Sequence, residues 1–149
     1  MKHLVICLFI LSFIISKVGY AQTYSNFENV GQRAFSIIQN MQAMNEDQYV
    51  GIFSGTISML LYTKQISSAD VIEIKNELRR TFREFQQEGR NSRINWGRIE
   101  FLEFKKYPVE ENGNVAMRLG LLSFKYNGKD YFRKVRTIMY EGRYYLLGL

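Results

Sequence analysis

Residues 126–149 read Tyr126-Asn-Gly-Lys-Asp-Tyr-Phe-Arg-Lys-Val-Arg-Thr-Ile-Met-Tyr-Glu-Gly-Arg-Tyr-Tyr-Leu-Leu-Gly-Leu149. Asn127-Gly128 fits a type I′ turn, whose two central residues take positive φ and whose twist matches that of the flanking strands. Glu141-Gly142 is a second two-residue turn of the same kind. Two such turns fix the register by arithmetic: Phe124 lies opposite Tyr131, Leu122 opposite Arg133, Met139 opposite Tyr144 and Ile138 opposite Tyr145. Asn112-Gly113 offers a third turn, which sets Phe104 against Leu121 and Tyr107 against Arg118. Four strands result, at about 94–107, 114–126, 129–140 and 143–149, joined as an antiparallel meander.

The chain ahead of the strands has helical periodicity. Ser25 and Glu28 are spaced as a capping box. Phe27, Val30, Ala34, Ile37, Met41 and Met44 then form one stripe on a helix of about 18 residues. Asn45-Glu46-Asp47-Gln48 is a second cap, followed by Tyr49, Ile52, Phe53, Ile57, Leu60 and Leu61. Gly51 and Gly55 weaken that helix by up to ~1 kcal/mol each relative to alanine. A third helix begins at Ser67-Ser68-Ala69-Asp70. Its stripe is Val71, Ile74, Leu78, Phe82 and Phe85, and Gly89 stands where a left-handed C-cap belongs. Its wet face pairs Arg80 with Glu77 and Glu84. No proline- or glycine-rich linker divides residues 22–149, so they read as a single α+β domain: three N-terminal helices on a curved four-stranded antiparallel meander.

The register sorts the strands into two faces. Trp96, Leu102, Phe104, Val115, Met117, Leu119, Leu121, Phe132, Ile138, Tyr145 and Leu147 fall on one, which is expected to be the core, with Lys134 and Arg136 intruding. The other carries Phe101, Leu122, Phe124, Tyr131, Arg133, Val135, Tyr144 and Leu146 beside Glu103, and is expected to be the outer face. It is too apolar to be left wholly in water. Phe101, Phe124, Tyr131 and Tyr144 can therefore form a partner-facing patch, aromatics being enriched in interface cores. A bulge that turns part of a strand over is the alternative. Arg136 is either an anion ligand at the mouth of the fold or a long side chain reaching an edge or a helix carboxylate. Arg133 pairs across the surface with Glu103 or forms a site with it. Trp96 is a ligand-stacking platform or a plug between the third helix and the sheet.

The first 21 residues read as a cleavable signal peptide. Lys2 is its charged start, Leu4 to Ile15 its apolar run, and Gly19 and Ala21 the small residues before a cut between Ala21 and Gln22. The run is too short to cross ~30 Å of hydrocarbon, so no stable membrane anchor is expected. The product is an exported protein, periplasmic or extracellular. Removing Lys2 and Lys17 takes the formal charge from +6 to +4, and nucleic acid is not an expected partner. The leader also holds the single cysteine, Cys7, and the single histidine, His3. A chain cut after Ala21 can form no disulfide, no Ser-His-Asp triad and no Cys or His zinc site. No cofactor is expected, and proton transfer would fall to Asp, Glu, Lys or Tyr.

The order of elements, the stretch Ala34 to Phe53 and the closing hairpin Tyr131–Leu149 together resemble the cystatin-like/NTF2-like α+β cone superfamily. Small exported bacterial proteins often share this outline. The resemblance implies a sheet curved around the helices and, in many members, pairing through the outer sheet face. Its enzymes, such as ketosteroid isomerase and the dehydratases, work inside the cone with an Asp–His pair or with a Tyr and a protonated Asp. Asp47, Asp70 and Asp130 all fall at caps or turns here. The expected function is an exported non-catalytic binding module that acts on itself or on a protein partner through its outer sheet face. The alternative is a small-molecule binder, or an enzyme without histidine, that uses the cone interior.

Overall fold

A computed structural model describes residues 23–107 and 116–149. The leader, the Ala21/Gln22 cut, the Asn112-Gly113 turn and Val115 lie outside the described residues. The elements are β1 (Thr23–Tyr24), α1 (Phe27–Gln39), α2 (Glu46–Tyr62), α3 (Ser68–Asn91), β2 (Glu100–Lys106), β3 (Ala116–Tyr126), β4 (Lys129–Tyr140) and β5 (Arg143–Gly148). The strands form one curled antiparallel half-barrel in the order β1-β5-β4-β3-β2. The described residues form five strands, not four: Thr23 and Tyr24 pair with Tyr145 and Tyr144 at the edge. A two-residue strand is too short to leave a period-2 signature, so it was invisible in the sequence.

The helices differ from expectation at their ends. Asn26 caps α1, accepting from the Asn29 amide at 2.9 Å, in place of a Ser25–Glu28 box. The first helix also stops at Gln39. A 3-10 turn over Met41–Ala43 carries the end of the expected stripe, with Met41 still fully buried. The Asn45/Gln48 and Ser67/Asp70 capping boxes form on α2 and α3. Gly89 lies inside α3 and is not its cap. The left-handed residue past the helix end is Arg93, with φ 51°. Residues 94–99 are not strand: Ile94 and Trp96 are buried, and a 3-10 turn covers Trp96–Arg98.

Both readable hairpins form as expected, with positive φ at Asn127, Gly128, Glu141 and Gly142. The pairs next to both turns match the arithmetic, Phe124 with Tyr131 and Met139 with Tyr144 among them, but the β4–β5 register slips between Thr137 and Arg136, so that Arg136 faces Gly148 rather than Leu147. Between β2 and β3 the register slips at Leu102. Phe104 therefore faces Leu122 rather than Leu121, and Tyr107 reaches Leu119 rather than Arg118. The bulge turns the second half of β2 over and brings Phe104 onto the helix side.

The two faces of the central sheet are the reverse of the expected ones. Leu122, Phe124 and Val135 are fully buried, whereas Leu102, Met117 and Phe132 are exposed. At the β4–β5 hairpin both faces are buried: Ile138 and Tyr145 on one, Thr137 and Leu146 on the other. Period-2 alternation could not choose a face because both are apolar. Small residues chose it. A Cβ on Gly31 of α1 would stand 2.3 Å from Phe104 Cγ, and one on Gly120 of β3 would stand 2.2 Å from Phe104 Cζ. Phe104 thus fits only between two bare backbones, stacked on Phe27 at 4.7 Å, and this locks α1 onto the Gly120 side of the sheet.

Candidate functional site

The aromatic residues expected to meet a partner turn to the helix side: Phe124 is fully buried, and Phe101, Tyr131 and Tyr144 are half-buried against the core. Phe124 stacks on Tyr131 at 5.6 Å and meets Trp96 edge-on at 6.2 Å. Trp96, 1% exposed, also meets Phe85 of α3 at 5.6 Å. Phe101 meets Phe35 edge-on at 5.4 Å, and Tyr144 meets Phe27 at 5.5 Å. Trp96 is therefore a plug between α3 and the sheet. Phe85, Trp96, Phe124 and Tyr131 form one continuous row, while Phe101 and Tyr144 pack against α1 away from it.

The two arginines turn toward α3. Arg133 is ion-paired with Glu88, lies 4.8 Å over the Phe85 ring and donates from Nη1 to the Phe132 carbonyl at 2.7 Å. Burial lowers its guanidinium pKa from the ordinary value. Its expected partner Glu103 pairs with Lys105 instead, at 2.8 Å. Arg136 reaches Glu77 of α3 at 2.7 Å. Its guanidinium passes over Gly148, where a Cβ would stand 3.3 Å from Nη2. Of the two readings of Arg136, the helix carboxylate is the one observed. Nearby, burial pushes the fully enclosed Tyr49 phenol above its ordinary value, against a weaker opposite pull from Arg136.

A hollow of about 300 Å³ opens on the flank between α3 and β4, walled by Glu84, Phe85, Glu88, Arg133 and Lys134. The Arg133 charge is already met there by Glu88, so the hollow offers little to a ligand anion. The interior of the curl is filled by Phe27, Phe104, Trp96 and Phe124.

Apart from Leu61, Tyr62 and Ile72 on the helices, the exposed large apolar side chains lie at Tyr107 and on the other side of the sheet, where Ser123 and Ile138 are nonetheless buried. Met117, Leu119 and Leu121 follow one another along it on β3, with Phe132 diagonal to Leu121 on β4. Met117 and Phe132 are 44% and 53% exposed, and Leu102 at the bulge is 42% exposed. Lys105 and Lys134 flank Leu121. Leu102, Met117, Leu119, Leu121 and Phe132 are thus outside the core in which period-2 alternation put them. The signal that could have corrected that placement was the pair of glycines, Gly31 and Gly120, that make room for Phe104. No described helix is long and apolar enough to cross a membrane. No protein-family model, no curated protein and no solved structure matches the chain.

Proposed function

We propose that the chain is an exported, non-catalytic binding module of the cystatin-like/NTF2-like cone type. It engages a second copy of itself or another protein through the outer side of its curved sheet. The observation that carries this reading is the apolar ridge Met117–Leu119–Leu121 with Phe132. Met117 and Phe132, about half exposed, stand to gain roughly half of the ~1.5–3 kcal/mol that full burial of such a side chain brings, and the half-buried Leu119 and Leu121 less. The flanking lysines supply a polar rim. The alternative, a small-molecule site in the cone interior, has less support, because stacked aromatics occupy that space.

Light scattering and cross-linking in the native compartment test the reading on residues 22–149. The expected result is a self-associated species or a cross-linked partner, lost in Phe132→Glu and Met117→Glu while circular dichroism is unchanged. A strict monomer with no cross-linked partner sinks it. Export is tested separately by fractionation: the cleaved chain is expected outside the cytoplasm, with its N-terminus at Gln22.

A further inference from the structure

We propose that a hollow at the C-terminal end of α3 binds a small oxyanion-bearing molecule, a carboxylate or phosphate of metabolite size. The site is separate from the outer sheet face, and its failure leaves the reading above untouched. The hollow measures about 330 Å³, within the range of small-ligand sites. Arg90 and Arg93 stand on its wall with Gln42 and Asn95, and Gly89 and Trp96 form its floor. None of its lining residues is acidic. Three other hollows along α3 are each walled by glutamates: Glu84 and Glu88 in two, Glu73 and Glu77 in the third.

Charge decides what this hollow accepts. Arg79, Arg80, Arg83, Arg133 and Arg136 are all paired with glutamates. Arg90 and Arg93 have no ion-pair partner among the described residues. The bland role for arginines at a helix C-terminus is to satisfy its last carbonyls. Backbone amides already meet three of the last four carbonyls: Ser92 donates to Glu88 O at 2.8 Å, Ile94 to Gly89 O at 2.9 Å and Arg93 to Arg90 O at 3.3 Å. Two guanidinium forks are left for a carboxylate or a phosphate, whose geometry they match. The amides add polar groups. Asn95 Oδ1 accepts from Gly97 N, which leaves its Nδ2 to donate. Gln86 Nε2 donates to the Met41 carbonyl at 2.8 Å and holds the 3-10 turn that carries Gln42.

The floor supplies a reporter. Trp96 is the only tryptophan in the chain. Its indole Nε1 lies so close to Gly89 that a Cβ there would stand 2.6 Å away. Fluorescence of residues 22–149 is titrated with inorganic phosphate and with citrate, at ionic strength held constant with chloride. The expected result is a saturable change. A response to phosphate alone assigns a phosphoryl group, and one to citrate alone a polycarboxylate.

The double variant R90A/R93G is expected to bind about tenfold more weakly or worse, the loss of charge-assisted hydrogen bonds. Glycine is the favoured residue at the left-handed position of Arg93, so this variant does not lose binding by failing to fold. Gln42→Glu places a carboxylate in the hollow and is expected to weaken binding as well. Arg98→Ala, on the neighbouring 3-10 turn and outside the hollow, is expected to leave it unchanged. No saturable response to either anion, or unaltered affinity in R90A/R93G, overturns the proposal.

Discussion

Gly31 and Gly51 sit in successive helices and are predicted to respond oppositely to the same change. Gly51 is exposed on α2, and nothing lies within 4 Å of a Cβ built there. Gly51→Ala should stabilise the protein by up to ~1 kcal/mol through helix propensity alone. Gly31 gains the same propensity, but its Cβ would overlap the Phe104 ring. Overpacking of this kind costs ~1–3 kcal/mol, so Gly31→Ala should be net destabilising. Urea midpoints at unchanged m-values distinguish the two signs. The sequence showed Gly51 as a weak helix residue. It gave no sign of Gly31, because the ring that fills its space arrives from a strand more than seventy residues away.

At the scale of elements, the hairpins and caps carry the testable energetics. Glu141 holds φ 50° ahead of Gly142, a conformation that asparagine tolerates far better. Glu141→Asn should raise stability by about 0.5–1 kcal/mol, read from the thermal midpoint. The α3 cap gives a pH signature. Asp70 accepts from the Ser67 amide at 2.6 Å and from its hydroxyl at 2.7 Å, and these bonds lower its carboxyl pKa below the ordinary value. The folded state thus favours the carboxylate. Its contribution is present above the unfolded-state pKa, near 3.8, and is lost as the pH falls through the folded one. Asp70→Asn should therefore destabilise at pH 6, and its difference from the parent should vanish in urea melts in strong acid. These caps and turns were legible because each is written in three or four adjacent residues. The bulge at Leu102 was not, since it depends on where Phe104 finds room.

At the scale of the whole molecule, arginines tie the helical layer together and to the sheet. Glu46 of α2 takes Arg83 at 3.0 Å and Arg79 at 3.5 Å from α3. Arg133 and Arg136 of β4 then reach Glu88 and Glu77 of α3. The Arg136–Glu77 pair is partly shielded, so Arg136→Met with Glu77→Gln should show a coupling of about 0.5–2 kcal/mol in a double-mutant cycle. The coupling should shrink in high salt. Additive effects would mean that α3 is held on the sheet by its apolar residues alone.

The sequence by itself determined the α+β class, the three helices of the described residues, two type I′ hairpins and the register beside their turns, since all of these are encoded by neighbours along the chain. It also determined that the described residues contain no cysteine and no histidine. The tertiary structure decided which face of the sheet is covered. Alternation specifies that two faces exist, but when both are apolar it does not rank them. The ranking came from volume: Phe104 can be buried only where Gly31 and Gly120 leave space for it, and they lie on one side of the sheet. That choice sent Phe124, Tyr131 and Tyr144 inward and left Met117 and Phe132 in the open. The closing hairpin keeps its turns and the register beside them, while packing settled the slip at Arg136 and the side that meets the helices.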